Sequence, residues 1–113
     1  MVKVTLYKKN QNVIGFKTKG HANTVEPGEL DLVCAAISML TQTTIESLVK
    51  VAGLKEEEIV YKMEDGYLSL EPDPSYENND KIQIIFSVLE TGLDLLVESY
   101  GKSIEVIQEV QRC

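Results

Sequence analysis

Hydrophobic and polar residues alternate in two segments near the start of the chain, residues 2–7 and 13–19. A period of two residues is typical of a strand with one buried face. The polar segment 8–12 between them predicts a turn. The first two elements are therefore expected to be an antiparallel hairpin.

Apolar residues recur at helical spacing in two longer segments. The first runs from about 32 to 52 and stops at Gly53, a residue type that is common just after a helix. The second is expected to begin with a cap at Asn79 or Asp80 and to end near Gly101.

The remaining strands follow from turn signals and alternation. Asp65-Gly66 is a strong hairpin signal, and the segments 58–64 and 67–71 flank it. Residues 103–110 alternate and predict a fifth strand. The order is ββαββαβ, which indicates an α+β fold with an antiparallel sheet and two long helices. With 113 residues and no break in composition, the chain is expected to be one domain, 1–113.

Both helical segments carry more apolar residues than one stripe requires, including Val33 and Ile37 on the first and Ile84 and Val88 on the second. One sheet is not expected to cover all of them. The pattern therefore predicts a homodimer that buries helix surface.

The chain is acidic, with a formal net charge of −7. Binding to a phosphate backbone depends on clustered lysine and arginine, so direct nucleic acid binding is not expected. A basic peptide or protein is the natural electrostatic complement.

The cysteines, the start of the chain and its apolar stretches bear on the compartment. The two cysteines, one of them the last residue Cys113, make no disulfide framework. The start reads as a strand rather than a signal peptide, and no apolar stretch is expected to approach the length of a membrane span. One histidine and two distant cysteines are too few for zinc, so neither a metal nor another cofactor is expected. The protein is predicted to be cytoplasmic.

Candidate chemistry concentrates in one short segment, which holds the only histidine, His21, and the only internal cysteine, Cys34. If the first helix begins near Leu32 with Asp31 as its N-cap, Cys34 lies in the first turn, where helix N–H groups favour a thiolate. Asp31, Cys34, Ser38 and Thr41 also share one helical face. A cysteine among alanines is more often a small core residue, however, and Asp31 and Ser38 need have no chemical role.

Residues 22–30 contain asparagine, proline, glycine and two glutamates, a composition typical of a mobile loop. Such a loop could act as a lid.

The motifs Gly20-His21-Ala22 and Asp31-x-Val33-Cys34-Ala35-Ala36-x-Ser38, with Gly28 between them, resemble those of the bacterial ribosomal-processing cysteine protease family, Prp. The resemblance covers nearly the whole chain. It implies an α+β fold, a dimer and removal of the N-terminal extension of the large-subunit ribosomal protein numbered twenty-seven.

Carried over to this sequence, the resemblance makes Cys34 the nucleophile and His21 the general base. Asp31 and Ser38 match supporting positions, while Gly20, Ala22 and Gly28 match the loop around the site. N–H groups of the first helix would stabilise the oxyanion.

Two other classes of function are open at this point. A noncatalytic ribosome-assembly adaptor would bind the same basic partner without cutting it. A redox-responsive protein would use Cys34 as a sensor, but no second internal thiol is present to resolve it.

Overall fold

The order of elements is the predicted one. A computed structural model describes residues 1–20 and 27–111, with side chains at 1–20 and 32–111. The strands and long helices are β1 (Val2–Lys9), β2 (Asn12–Lys19), α1 (Pro27–Lys50), β3 (Tyr61–Glu64), β4 (Tyr67–Leu70), α2 (Asp80–Tyr100) and β5 (Ile104–Val110). Two short 3₁₀ helices, Glu56–Glu58 and Pro74–Asn78, precede β3 and α2. The α+β class and the order ββαββαβ are confirmed.

The five strands form one sheet in the order β3-β4-β2-β1-β5. The prediction of a wholly antiparallel sheet is wrong at one edge, where β5 pairs parallel to β1. Because β4 is antiparallel to β2 and β2 is antiparallel to β1, β4 also runs parallel to β1. Helix α2 then carries the chain back to the end of the sheet at which β4 began, so β5 runs in the same direction as β4.

The strand register explains which face of the sheet is buried. Val4 is opposite Thr18, and Leu6 is opposite Phe16, so these side chains share one face. All four are buried, and the core continues into both helices. Its helical members include Val33, Ile37, Leu48, Ile82, Phe86, Leu89 and Leu93. The fold is therefore a helical layer packed on one face of a sheet.

The turn between β1 and β2 is tighter than the predicted five-residue segment. Each strand is extended toward the turn, and only Asn10 and Gln11 lie between them. Both residues have positive φ, 51° and 70°. This is the signature of a two-residue turn whose twist matches that of the flanking strands.

The third strand is shorter than predicted and begins at Tyr61 rather than at residue 58. The Glu58 carboxylate accepts a hydrogen bond from the Lys55 backbone N–H at 3.0 Å, and the Glu58 N–H donates to the Lys55 carbonyl at 2.9 Å. These reciprocal bonds hold the preceding residues in a 3₁₀ turn.

Helix α1 begins at Pro27, five residues before the predicted start. Proline fits a first helical position because its missing N–H would have no partner there and its fixed φ suits a helix. The expectation that Asp31 caps this helix is therefore wrong, since Asp31 is the fifth helical residue. The predicted loop 22–30 is wrong over residues 27–30, and residues 22–26 lie outside the described residues.

Helix α2 begins and ends as predicted. The Asn79 side chain accepts a hydrogen bond from the Ile82 N–H at 3.1 Å, which caps the helix, and Gly101 follows its last residue. The two long helices approach closely where Leu40 of α1 meets Gly92 of α2. A Cβ atom on Gly92 would lie 2.6 Å from Leu40 Cδ2.

The expectation about membrane spans needs correction. By length and composition alone, Leu32–Lys50 of α1 could cross a membrane. A core helix passes the same test, and α1 places Val33, Ile37 and Leu48 in the core. Packing on the sheet accounts for these buried apolar residues of the helix, while Leu32 and Met39 remain exposed.

Candidate active site

A cleft of about 390 Å³ opens between α1, the end of β2 and the β3–β4 hairpin. Its position follows from the topology. Helix α1 links β2 to β3, which run in the same direction, so α1 runs back antiparallel to both. The first half of α1 therefore lies beside the carboxyl ends of β2 and β3. Residues of four regions line the cleft: Val2 of β1; Thr18 and Lys19 of β2, with Gly20 just after it; Cys34, Ile37, Ser38, Thr41 and Gln42 of α1; and residues 63–68 of the hairpin.

Cys34 is half-buried and lies at the boundary between the core and the cleft. Ser38 is exposed one turn further along the same wall. Thr41 also lines the cleft, but its hydroxyl is buried and donates to the Ile37 carbonyl at 2.8 Å. The predicted shared face is thus present for Cys34, Ser38 and Thr41, with Thr41 committed to the helix backbone.

Gly20 brings the chain from β2 to the rim of the cleft. Its φ is +142°, and a Cβ atom there would lie 2.5 Å from the Met1 carbonyl oxygen. Its N–H donates to the Gly66 carbonyl at 3.1 Å, which joins the end of β2 to the hairpin. Only glycine fits this position without moving the backbone. The predicted residues His21 and Ala22 come next and lie outside the described residues.

The early start of α1 changes the expected chemistry of the thiol. Cys34 is the eighth residue of the helix, so its own N–H belongs to the regular intrahelical hydrogen bonds. The expected first-turn position of Cys34 is therefore wrong, and with it the reason for expecting a free N–H group at the thiol itself. Gly28, expected in a loop, lies in the first turn of α1.

The β3–β4 hairpin is the part of the site that sequence reasoning missed. Met63, Glu64, Asp65, Gly66 and Tyr67 line the cleft opposite α1. Asp65-Gly66 signalled the turn, and Gly66 does take a positive φ of 71°. That signal does not predict that the turn will face the first half of α1, because the position of the turn relative to α1 depends on how α1 connects β2 to β3.

Charges at the hairpin rim are exposed. Lys62 and Glu64 form an ion pair at 3.3 Å, with both side chains largely in water. Exposed pairs of this kind contribute little to stability. Among the described side chains, those of residues 1–20 and 32–111, no group of three or more from histidine, cysteine, aspartate or glutamate could hold a metal ion.

Several solved structures have similar folds. SMU.848 from Streptococcus mutans has a TM-score of 0.83 and 21% identity, covering 98% of this chain and 99% of that one. The essential ribosomal processing protease Prp from S. aureus, in complex with a substrate peptide, has a TM-score of 0.81 and 20% identity over 96% of this chain and all of that one. The same S. aureus protease with a covalently linked product peptide gives a TM-score of 0.79 at 21% identity. These likenesses establish the fold.

The sequence model of a family described as cysteine protease Prp matches residues 1–105. The chain therefore belongs to the cysteine protease Prp family, and the protein is a cysteine protease. No curated protein sequence gives a significant match.

Proposed function

We propose that the protein is a cytoplasmic endopeptidase that removes the N-terminal extension of the large-subunit ribosomal protein numbered twenty-seven. The observation that carries the proposal is Cys34, the one internal cysteine, in the wall of the cleft of a Prp-family chain. The S. aureus relative, a ribosomal processing protease, has been solved with a substrate peptide, which supports the same substrate class here.

Cys34 is the proposed nucleophile and His21 the proposed general base. His21 accepts the proton from Cys34 Sγ, and the thiolate attacks the scissile carbonyl carbon. The C–N bond then breaks, and His21 returns the proton to the departing amine. Water, deprotonated by His21, hydrolyses the thioester and releases the new carboxylate.

Supporting roles are proposed for Asp31 and Ser38. Ser38 is exposed one turn from Cys34 on the cleft wall, where its hydroxyl can bond a substrate carbonyl. Asp31 is three residues before Cys34 in α1 and is therefore on the same helical face. Since Asp31 does not cap α1, its carboxylate is proposed to orient His21.

The charge of the protein supports a basic partner. A net charge of −7 favours encounter with a basic ribosomal protein and opposes binding to bare nucleic acid. Charge of this kind raises the rate of encounter, while the cut site must be chosen by contacts within the cleft.

The test uses a peptide that spans the extension and the mature start of the ribosomal protein from the same organism. Wild-type protein is expected to give one cut, read by mass spectrometry. Cys34→Ala and His21→Ala are expected to abolish it, because each removes one half of the nucleophile–base pair. Cys113→Ala is the matched control for loss of a thiol and should cut normally.

The alternative, a noncatalytic adaptor, makes the opposite prediction: the peptide binds and stays intact, and Cys34→Ala changes nothing. Alkylation of Cys34 across pH separates the two. A nucleophile paired with His21 should react at lower pH than the same thiol in His21→Ala. Identical pH profiles in the two proteins would contradict the pair.

A further inference from the structure

One edge of the sheet borders the cleft and is open in the described part of the chain. Strand β3 is the last strand on this side and pairs with β4 alone. All four of its residues are exposed. An edge strand of this kind offers its outer backbone groups to any extended segment that can reach them.

The pattern of hydrogen bonds between β3 and β4 shows which backbone groups of β3 point to the open edge. The Glu71 N–H donates to the Val60 carbonyl at 2.9 Å, just before the β3–β4 register of Tyr61 with Leu70. In an antiparallel pair, bonded and non-bonded positions alternate. Lys62 and Glu64 therefore bond to β4, while the N–H and carbonyl groups of Tyr61 and Met63 point outward to the open edge.

The side chains of Tyr61 and Met63 add an apolar surface beside this edge. Each is directly opposite a buried leucine of β4, Leu70 or Leu68, and so lies on the face that carries the helices. Yet Tyr61 is 53% exposed and Met63 57% exposed. Two large apolar side chains on the core face are thus left uncovered next to the outward-pointing backbone groups.

The edge leads to the candidate nucleophile. Because α1 runs antiparallel to β3, its N-terminal half lies beside the carboxyl end of β3, where Met63 and Cys34 line the same cleft. A chain segment paired with β3 would have one end directed into that cleft. Gln42 of α1 lines the same cleft.

We propose that β3 binds the substrate as an added strand, with the backbone of Tyr61 and Met63 holding the peptide and their side chains contacting its apolar residues. This inference rests on the proposed function and adds to it how the peptide is held. Strand addition takes affinity from main-chain hydrogen bonds and specificity from alternate side chains. It selects an extended segment over a folded one.

The test is a scan of singly N-methylated versions of the extension peptide, bound to the Cys34→Ala protein and measured by fluorescence polarisation. N-methylation removes one donor and blocks pairing at that residue. Strand addition predicts a period of two: methylation at alternate residues weakens binding about tenfold, and methylation between them has little effect.

Hydrogen exchange gives the same test from the protein side. Peptide binding to Cys34→Ala is expected to slow exchange of the Tyr61 and Met63 amides, while the Lys62 amide is protected already. Met63→Ser should weaken binding several-fold. Ile107→Ser, at an exposed apolar position on the opposite edge strand β5, is the matched control and should bind normally.

The outcomes separate this inference from the proposed function. A peptide that is cut by wild type but shows no period-two sensitivity, or leaves the Tyr61 and Met63 amides unprotected, overturns strand addition alone. A peptide that is neither bound nor cut overturns both proposals. Protection of the two amides before any peptide is added would show that the edge is already paired and would overturn the inference.

Discussion

Tyr76 is the residue whose protonation is most clearly altered by the fold. Its side chain is buried, and its ring lies 6.1 Å from that of Phe86. Burial raises the pKa of Tyr76 above its ordinary value, and the negative charges of Asp73 and Glu58 raise it further. The neutral phenol is therefore the form that fits the folded protein.

This shift predicts a loss of stability at alkaline pH. A group whose pKa is raised on folding stabilises the protein fully below its unfolded pKa, near 10 for tyrosine, and loses that contribution as pH rises through the folded value. The melting temperature should fall as the pH rises above the ordinary tyrosine pKa of about 10, and less steeply in Tyr76→Phe. The comparison with Tyr76→Phe separates this effect from lysine titration, and equal slopes would contradict it.

Cys34 and Gly20 show which features of the candidate site could be predicted from the sequence and which could not. Cys34 could be selected because it is the only internal cysteine, and the structure does place it in a cleft. Gly20 could be matched to a motif, but its close approach to Met1, which leaves no room for a Cβ atom, and its hydrogen bond to Gly66 join distant parts of the chain. Local patterns do not contain such contacts.

At the scale of elements, the β1–β2 turn holds a non-glycine residue in a backbone conformation that glycine adopts more readily. Gln11 has a φ of 70°, a left-handed conformation that disfavours residues with a Cβ atom. Gln11→Gly should raise the free energy of unfolding by about 0.5–1 kcal/mol, measured by urea denaturation, because glycine adopts this conformation readily.

Asn10→Gly is the control for that prediction. Asn10 has a similar φ, but its side-chain amide donates to Glu77 at 2.6 Å. Loss of this hydrogen bond should cancel the gain in backbone conformation. A Gln11→Gly protein no more stable than wild type would show that the turn is not strained.

The type and order of the helices and strands could be predicted from periodicity. The errors concerned the direction of β5 and the position at which α1 begins. Alternation of residues 103–110 indicates a strand, but its direction depends on how α2 crosses the sheet. The start of α1 was misplaced because Pro27 and Gly28 have a loop composition, although proline is also favoured in a first helical turn. Composition alone cannot separate these two uses.

At the scale of the whole molecule, the helical layer has an outer surface that the sheet cannot cover. Five large apolar residues on it are exposed: Leu32, Met39, Ile84, Val88 and Leu95. Ile84, Val88 and Leu95 follow helical spacing along one face of α2. The predicted homodimer would bury this surface.

Light scattering after size exclusion tests that prediction. The wild-type protein should have twice the 12.6 kDa mass of the chain, and Val88→Glu should shift it to one chain mass because a charge would be buried in the interface. Ile107→Glu, an exposed apolar position outside the helical layer, should remain dimeric. A monomeric wild-type protein would contradict the prediction.

The parallel pairing of β1 with β5 also limits when the sheet can finish folding. Val2 pairs with Ile104, and its N–H bonds to the Ser103 carbonyl at 2.9 Å, so the first strand depends on the last. Contacts so distant in sequence form late in folding and slowly. Val2 also lines the cleft that holds Cys34. During synthesis, the nascent chain should therefore carry its thiol long before it has a finished substrate cleft, and proteolytic activity should begin only after β5 has emerged from the ribosome.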